Sequence, residues 1–152
     1  MKIAILNDTH CGARNSSDVF MQYQEKFYND VFFPYLLENN ITEIIHLGDY
    51  YEHRKYVNFK ALEHNRKIFL EKLREYKIHM RIIPGNHDVS LLNQDHNSLE
   101  SIVKNLETEH KLYLLNDEGY YEYNNILFGH TRFGFSKSVL KCDLDFDGYK
   151  IG

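Results

Sequence analysis

Apolar runs of strand length alternate with longer amphipathic stretches along this chain, and that order predicts an α/β fold: a layered sheet with mainly parallel central strands flanked by helices. Two observations sharpen the prediction. The first three runs break off in polar or glycine-bearing strings, as buried parallel strands do at their carboxyl ends. The stretches between them are long enough for the right-handed crossovers that join parallel neighbours.

The elements follow in order. Lys2–Leu6 (KIAIL) is a strand that breaks at Asn7 and Asp8. Ser16, Ser17 and Asp18 offer N-cap oxygens for a helix reaching about Asn39, with Phe20, Tyr23, Phe27, Val31 and Leu37 as its apolar stripe and Pro34 as a kink or restart. Ile41–Leu47 (ITEIIHL) is a second strand, running into Gly48 and Asp49. Asn58–Tyr76 reads as a helix, with Phe59, Leu62, Ile68, Phe69 and Leu73 on one face and paired charges on the other. His79–Ile83 is a third strand, stopped by Pro84, Gly85 and Asn86. Asn97–Leu106 is expected as a short helix, Lys111–Leu115 as a strand, and Asp117, Glu118 and Gly119 as a turn. Tyr120–Tyr123 and Ile126–Phe128 are expected as a hairpin around Asn124 and Asn125. Residues 1–152 read as one domain, weaker from about Gly134.

A chain of 152 residues that is 43% hydrophobic and 14% aromatic can close a core, which excludes disordered, collagenous and coiled-coil classes. Its net charge of -4 gives no sequence-wide basic field for coating nucleic acid or an anionic membrane, though DNA as a substrate stays open. No apolar run approaches the roughly 20 residues that span a bilayer, so a soluble, cytoplasmic protein without a membrane partner is expected. Cys11 and Cys142 lack metal-type spacing and read as free thiols of a reducing compartment.

Chemistry-bearing residues stand at the strand ends: Asp8 and His10, then Asp49, then Asn86 with His87 and Asp88, then His130. Ligands of an open α/β sheet bind outside the carboxyl ends of its strands, so these groups are expected to converge. Carboxylate, imidazole and amide oxygen make a ligand set for manganese, iron, zinc or magnesium. One carboxylate between two such clusters can bridge two ions, and two ions about 3.5 to 4 Å apart suit phosphoester hydrolysis. His46, inside its apolar strand, reads instead as a core histidine with a backbone partner. Asp143–Gly148 (DLDFDG) imitates the start of a calcium loop but alternates as a half-exposed strand does, and no calcium site is assigned.

The strings DTH at Asp8–His10, GDYYEHRK at Gly48–Lys55, GNHD at Gly85–Asp88 and GH at Gly129–His130 resemble the successive motifs of the calcineurin-like metallophosphoesterases over residues 1 to about 135. GDYYEHRK and the following NFKALEHNRKIFLEKL are similar, more narrowly, to the nuclease subunit of the SbcCD-type DNA double-strand-break repair complex, bacterial or bacteriophage. The resemblance implies that Asp8 and His10 hold a first metal, that Asp49 bridges, and that Asn86 and His130 hold a second. It implies that His87 stabilises the transition state or donates a proton, with Asp88 orienting its ring. Two divalent ions, Mn2+ foremost, a DNA substrate and an SbcC-type coiled-coil ATPase partner follow by the same route, with a homodimer as a further possibility. His53, Arg54 and Arg14 are candidate substrate contacts, with Lys55 and Lys60 nearby in sequence. Tyr50, Tyr51 and Tyr56 either stack on bases or pack the loop.

One departure matters. The family pattern ends in GHxH, whereas Thr131 and Arg132 follow Gly129-His130 here, so GHTRFGF corresponds to the earlier GH motif. The expectation is an N-terminal part of a longer metallophosphoesterase domain. The rivals are a natural short form whose incomplete site serves binding or assembly, and a phosphatase acting on phosphoproteins or small nucleotides.

Overall fold

The computed structural model describes residues 2–89 and Leu99 with their side chains, and the backbones of strands within 112–151. The chain divides into two compact units, residues 1–115 and 116–152.

The first unit is built on a sheet of four parallel strands in the order β1 (Ala4–Leu6), β2 (Glu43–His46), β3 (His79–Ile82) and β4 (Leu112–Leu114). Leu6 pairs with His46 and His46 with Ile82, so three strands end level and deliver the residues that follow them to one edge. Every residue of β2 is buried, the condition of a central strand covered on both faces.

The first crossover begins with one turn, α1 (Ala13–Ser16), in which Arg14 and Asn15 take left-handed φ of 53° and 59°. It continues as α2 (Asp18–Phe27), a π turn at Tyr28–Phe32, and α3 (Phe33–Glu38). In the π turn the Phe33 N–H bonds the Tyr28 carbonyl, five residues back. Pro34, which has no N–H to give, then sits in the first turn of α3, so the proline restarts the helix as the sequence allows. The second crossover is α4 (Phe59–Asn65), a π turn at Arg66–Leu70, and α5 (Glu71–Glu75). Its start is fixed by Asn58, whose side-chain oxygen accepts from the Lys60 N–H at 2.8 Å.

Between these helices and the sheet lies the core. Tyr28, Phe32, Phe33 and Leu36 meet Phe69, Leu70 and Leu73 over Ile44, Met80 and Ile82, with the Tyr28 and Phe69 rings 4.8 Å apart. The expected stripe of the first helix is corrected here. Phe20, Tyr23, Phe27, Val31 and Leu37 are all exposed, Tyr23 by 70%, and the buried apolar set is Met21, Tyr28, Phe32, Phe33 and Leu36. The burying face is thus rotated by one residue, about 100° around the axis. In the second helix Ile68, Phe69 and Leu73 are buried and Leu62 packs partly, while Phe59 stays exposed.

In the second unit β5 (Gly119–Tyr123) pairs antiparallel with β6 (Ile126–His130), Tyr123 opposite Ile126, which is the expected hairpin. β7 (Tyr149–Ile151), for which the sequence gives no signal, pairs parallel with β6. Of the helix expected at 97–106 only Leu99 is described, and it is helical and buried. The turn residues Asp117 and Glu118, the hairpin tip Asn124 and Asn125, Cys142 and the string 143–148 lie outside the described residues. Among the described residues no helix is long and apolar enough to cross a membrane.

Candidate metal centre

Pairing between β1 and β2 does not stop at their ends. Leu47 N–H donates to the Leu6 carbonyl at 2.9 Å, Asp8 N–H to Gly48 at 3.2 Å, His10 N–H to Asp49 at 3.0 Å and Cys11 N–H to Tyr50 at 2.8 Å. The loops after the two strands are therefore zipped together, and Asp8, His10 and Asp49 become neighbours by backbone alone. All three take left-handed φ, 51°, 42° and 52°. Such conformations are costly for non-glycine residues and persist only where the surroundings hold them.

The loop after β3 is tied in by Asp88. Its fully buried carboxylate accepts from the Tyr50, Tyr51 and Gly85 N–H groups at 2.9 to 3.1 Å. Burial pushes its pKa up, against the pull of those three donors, and the charge of Asp49 pushes the same way. Asp88 therefore joins two loops and makes no bond to the His87 ring, which corrects its expected role. That ring is set instead by the Glu52 carbonyl, 2.7 Å from His87 Nδ1. Because a carbonyl only accepts, the proton sits on Nδ1 and Nε2 is left free.

Two glycines make the approach possible. A Cβ on Gly48, where φ is +103°, would lie 2.5 Å from the Gly85 nitrogen, and one on Gly85 would lie 2.2 Å from Asp49 N and Oδ1. No side chain fits at either position.

Around this frame the side chains converge. Asp8, His10 and Asp49 each offer a ligand atom within 4.8 Å of the others. The His87 N–H donates to Asp49 Oδ1 at 2.8 Å, and the His87 and His10 rings meet edge to face at 4.9 Å. The Asn86 amide lies 2.9 Å from Asp49 Oδ2 and 3.2 Å from Oδ1. With its nitrogen toward Asp49 it donates there, and its oxygen accepts from Arg54 Nη2 at 2.9 Å.

Of the residues singled out from sequence, the structure thus brings together Asp8, His10, Asp49, Asn86 and His87. Arg54 joins them, Nε donating to the Asn86 carbonyl. His53 lies in the same loop with Nε2 buried and unpartnered, its ring stacked on the exposed Tyr56 at 4.7 Å. Arg14 is exposed on the left-handed turn, over the Phe20 ring, and Lys60 pairs with Asp18 at 2.6 Å; no contact joins either to the cluster among the described residues. Tyr50 and Tyr51 are buried with their hydroxyls on Asn65, so they pack the loop. His46 is a core histidine, as read from sequence: Nδ1 accepts from the Gly48 N–H at 3.2 Å, and Nε2 donates to Thr9 Oγ1 at 3.0 Å. Burial lowers its pKa to about 4, so it stays neutral. His130 ends β6 in the second unit, and its side chain lies outside the described residues.

Sequence reasoning passed over Glu52. Its carboxylate oxygen Oε2 is 2.9 Å from His10 Nδ1. It stands inside GDYYEHRK three residues after Asp49, and that spacing was the available signal.

The donor set fits divalent metal. Asp8, His10 and Asp49 each bring a ligand atom within 4.8 Å of the others, with the Asn86 amide at Asp49 and the His87 ring against His10. Oxygen and imidazole nitrogen suit hard and borderline ions. Cys11 is no part of the set: it bonds Asn65 Oδ1, and burial raises its pKa to about 12. A search among curated proteins returned no match to the chain. The family model for calcineurin-like phosphoesterases matches residues 1–147, a span that takes in every strand-end motif described above. With that match over a parallel sheet whose level strand ends gather metal-ligating side chains, the chain belongs to the calcineurin-like phosphoesterase family and is a metal-dependent phosphoesterase.

Proposed function

We propose that this chain is the catalytic part of a two-metal DNA phosphodiesterase of the SbcD nuclease type. The observation that carries the proposal is the meeting of Asp8, His10, Asp49, Asn86 and His87 beyond the level ends of β1, β2 and β3. Asp8, His10, Asp49 and Asn86 would hold the divalent cations, and His130 is a further candidate ligand on the resemblance alone. Bound cations of this kind supply Lewis acidity to the phosphoryl oxygens and lower the pKa of a water nucleophile. Mn2+ is the ion to test first, with iron, zinc and magnesium as the competitors for an oxygen and imidazole site.

The chain's own residues do the rest. His87, its Nδ1 committed to the Glu52 carbonyl, keeps Nε2 for proton exchange with a leaving oxygen. Asp49 steers His87 through the backbone N–H. Arg54, braced on Asn86, places a cation beside the ligands for a second phosphate contact, and the exposed Tyr56 on His53 offers a face for a base. DNA as the substrate, and an SbcC-type ATPase or a second copy as partner, rest on the resemblance of GDYYEHRK and its following helix.

The test is hydrolysis with Mn2+ of linear duplex DNA beside p-nitrophenyl phosphate, for the wild type and for Asp49→Asn and His87→Ala. Degradation of DNA that both substitutions abolish supports the proposal. Turnover of the monoester with DNA intact assigns the chain to the small-substrate phosphatases instead. Bound metal without hydrolysis of either ester makes it a binding module.

A further inference from the structure

We infer that Glu52 is a positioning residue of the metal centre, its carboxylate holding the Nδ1 proton of His10 so that Nε2 reaches the Asp8–Asp49 group as a lone pair. The inference rests on His10 being a ligand, as proposed above. A neutral imidazole carries one proton on two nitrogens, and only the bare nitrogen can ligate. In His10 the two nitrogens face different acceptors: Nε2 is 3.6 Å from Asp8 Oδ1, and Nδ1 is 2.9 Å from Glu52 Oε2. Were Asp8 the sole carboxylate in reach, the proton would settle on Nε2 and block the ligating position. A second carboxylate on the far side of the ring reverses that choice. Outer partners of this kind fix the tautomer of ligating histidines generally.

Glu52 is well placed to do this. Its N–H donates to the Cys11 carbonyl at 3.2 Å and its carbonyl accepts from His87 Nδ1, so its backbone is held on both sides. The His10 ring is held by a left-handed backbone of φ 42°. The Glu52 carboxylate is 29% exposed, which leaves it room to turn. Turning is needed, because the 2.9 Å approach is an ion-pair distance at which the ring N–H axis misses the oxygen, leaving Nδ1 without an aligned bond. A small rotation of the carboxylate in the working protein closes it.

The test is long-range 15N–1H correlation of the histidine rings in the metal-free full chain, joined to Mn2+ affinity by titration. The wild type shows His10 protonated on Nδ1. Glu52→Ala moves the proton to Nε2 and weakens Mn2+ binding by about 10- to 100-fold, the usual cost of losing an outer partner. Glu52→Gln, whose amide oxygen still accepts, keeps the tautomer and most of the affinity. A wild type that binds Mn2+ with His10 protonated on Nε2 beforehand overturns the role of Glu52 alone. So does a Glu52→Gln loss as deep as that of Glu52→Ala, which would make Glu52 itself a ligand. A wild type that binds no Mn2+ at all overturns the metal-centre reading first, and this one with it.

Discussion

Asp88→Asn is the substitution that separates a frame residue from a catalytic one. In the wild type Oδ1 accepts from Tyr50 and Tyr51 and Oδ2 from Tyr50 and Gly85, all within 3.1 Å and fully buried. An asparagine keeps one oxygen and turns the other into a donor. If its oxygen serves Tyr50 and Tyr51, the Gly85 N–H faces an amide N–H; if it serves Gly85, the Tyr51 N–H does. One unsatisfied buried donor costs about 1–3 kcal/mol, and weakening the bonds that remain from charge-assisted to neutral adds about 1 kcal/mol more. Removing a charge that burial disfavours returns part of this, so the net loss is about 2–3 kcal/mol. That is a large share of the 5–15 kcal/mol typical of a domain, but not all of it. The variant therefore folds. Tyr50 follows Asp49 and Gly85 precedes Asn86, so the same slackening reaches the ligands and lowers Mn2+ affinity by at least about tenfold, in the range of outer-contact losses. Urea unfolding followed by circular dichroism gives the first quantity and Mn2+ titration the second. A stability change under about 0.5 kcal/mol with unchanged Mn2+ affinity would refute the assignment of Asp88 as the tie between loops, since losses that small are ordinary surface effects.

Three further outcomes follow from the same geometry. His46 is held neutral, with its folded pKa near 4 against 6.5 unfolded, so the unfolded chain takes up a proton first as pH falls. Its contribution is whole above about pH 6.5 and drains by about 3 kcal/mol on the way to pH 4; unfolding at a series of pH values shows that slope in the wild type and its loss in His46→Gln. Gly85→Ala drives a methyl into Asp49 at 2.2 Å, where the opposing atom is backbone and cannot step aside. It should cost about 1–3 kcal/mol and most of the metal affinity together, readable by thermal unfolding with and without Mn2+. Phe69→Ala empties the middle of the aromatic core and should cost about 3–5 kcal/mol in urea unfolding while leaving the metal ligands alone, because none of the described ligands touches that ring.

How much of this was legible in the sequence differs by feature, for physical reasons. Strand ends were legible because each run of mostly apolar residues stops at a polar or glycine-bearing string, although β1 is only partly buried, with Ile5 exposed, and β3 alternates in burial. The face of the first helix was not, because two apolar stripes run along it one residue apart. Phe20, Phe27, Val31 and Tyr35 form one, and Met21, Tyr28, Phe32 and Leu36 the other. Periodicity finds both and cannot choose between them. The choice is made by Phe69 on the second crossover, which receives Tyr28 and Phe32. The roles of Asp88 and Glu52 were hidden for a related reason. A carboxylate next to a histidine in sequence suggests a contact, yet the Asp88 carboxylate turns to amides of another loop, and it is Glu52, from 35 positions away, that touches His87.

These misplacements share a cause that also explains why the motifs occur as a set. Gly48 is small because Gly85 lies against it, and Gly85 is small because Asp49 does. Asp88 is a carboxylate because the amides of Tyr50 and Tyr51 come to it, and those amides stand where they do because the loop after β2 is bonded to the loop after β1 through Cys11 and His10. The left-handed backbones of Asp8, His10 and Asp49 are costly singly and survive only inside this mutual hold. Each string therefore carries residues whose reason lies in another string. A DxH, a GD or a GNHD alone specifies little, but a chain that contains all three at successive strand ends has committed glycines, an acid and strained ligands to one arrangement. A perturbation anywhere in the frame must then be felt at the ligands, whereas one in the aromatic core need not.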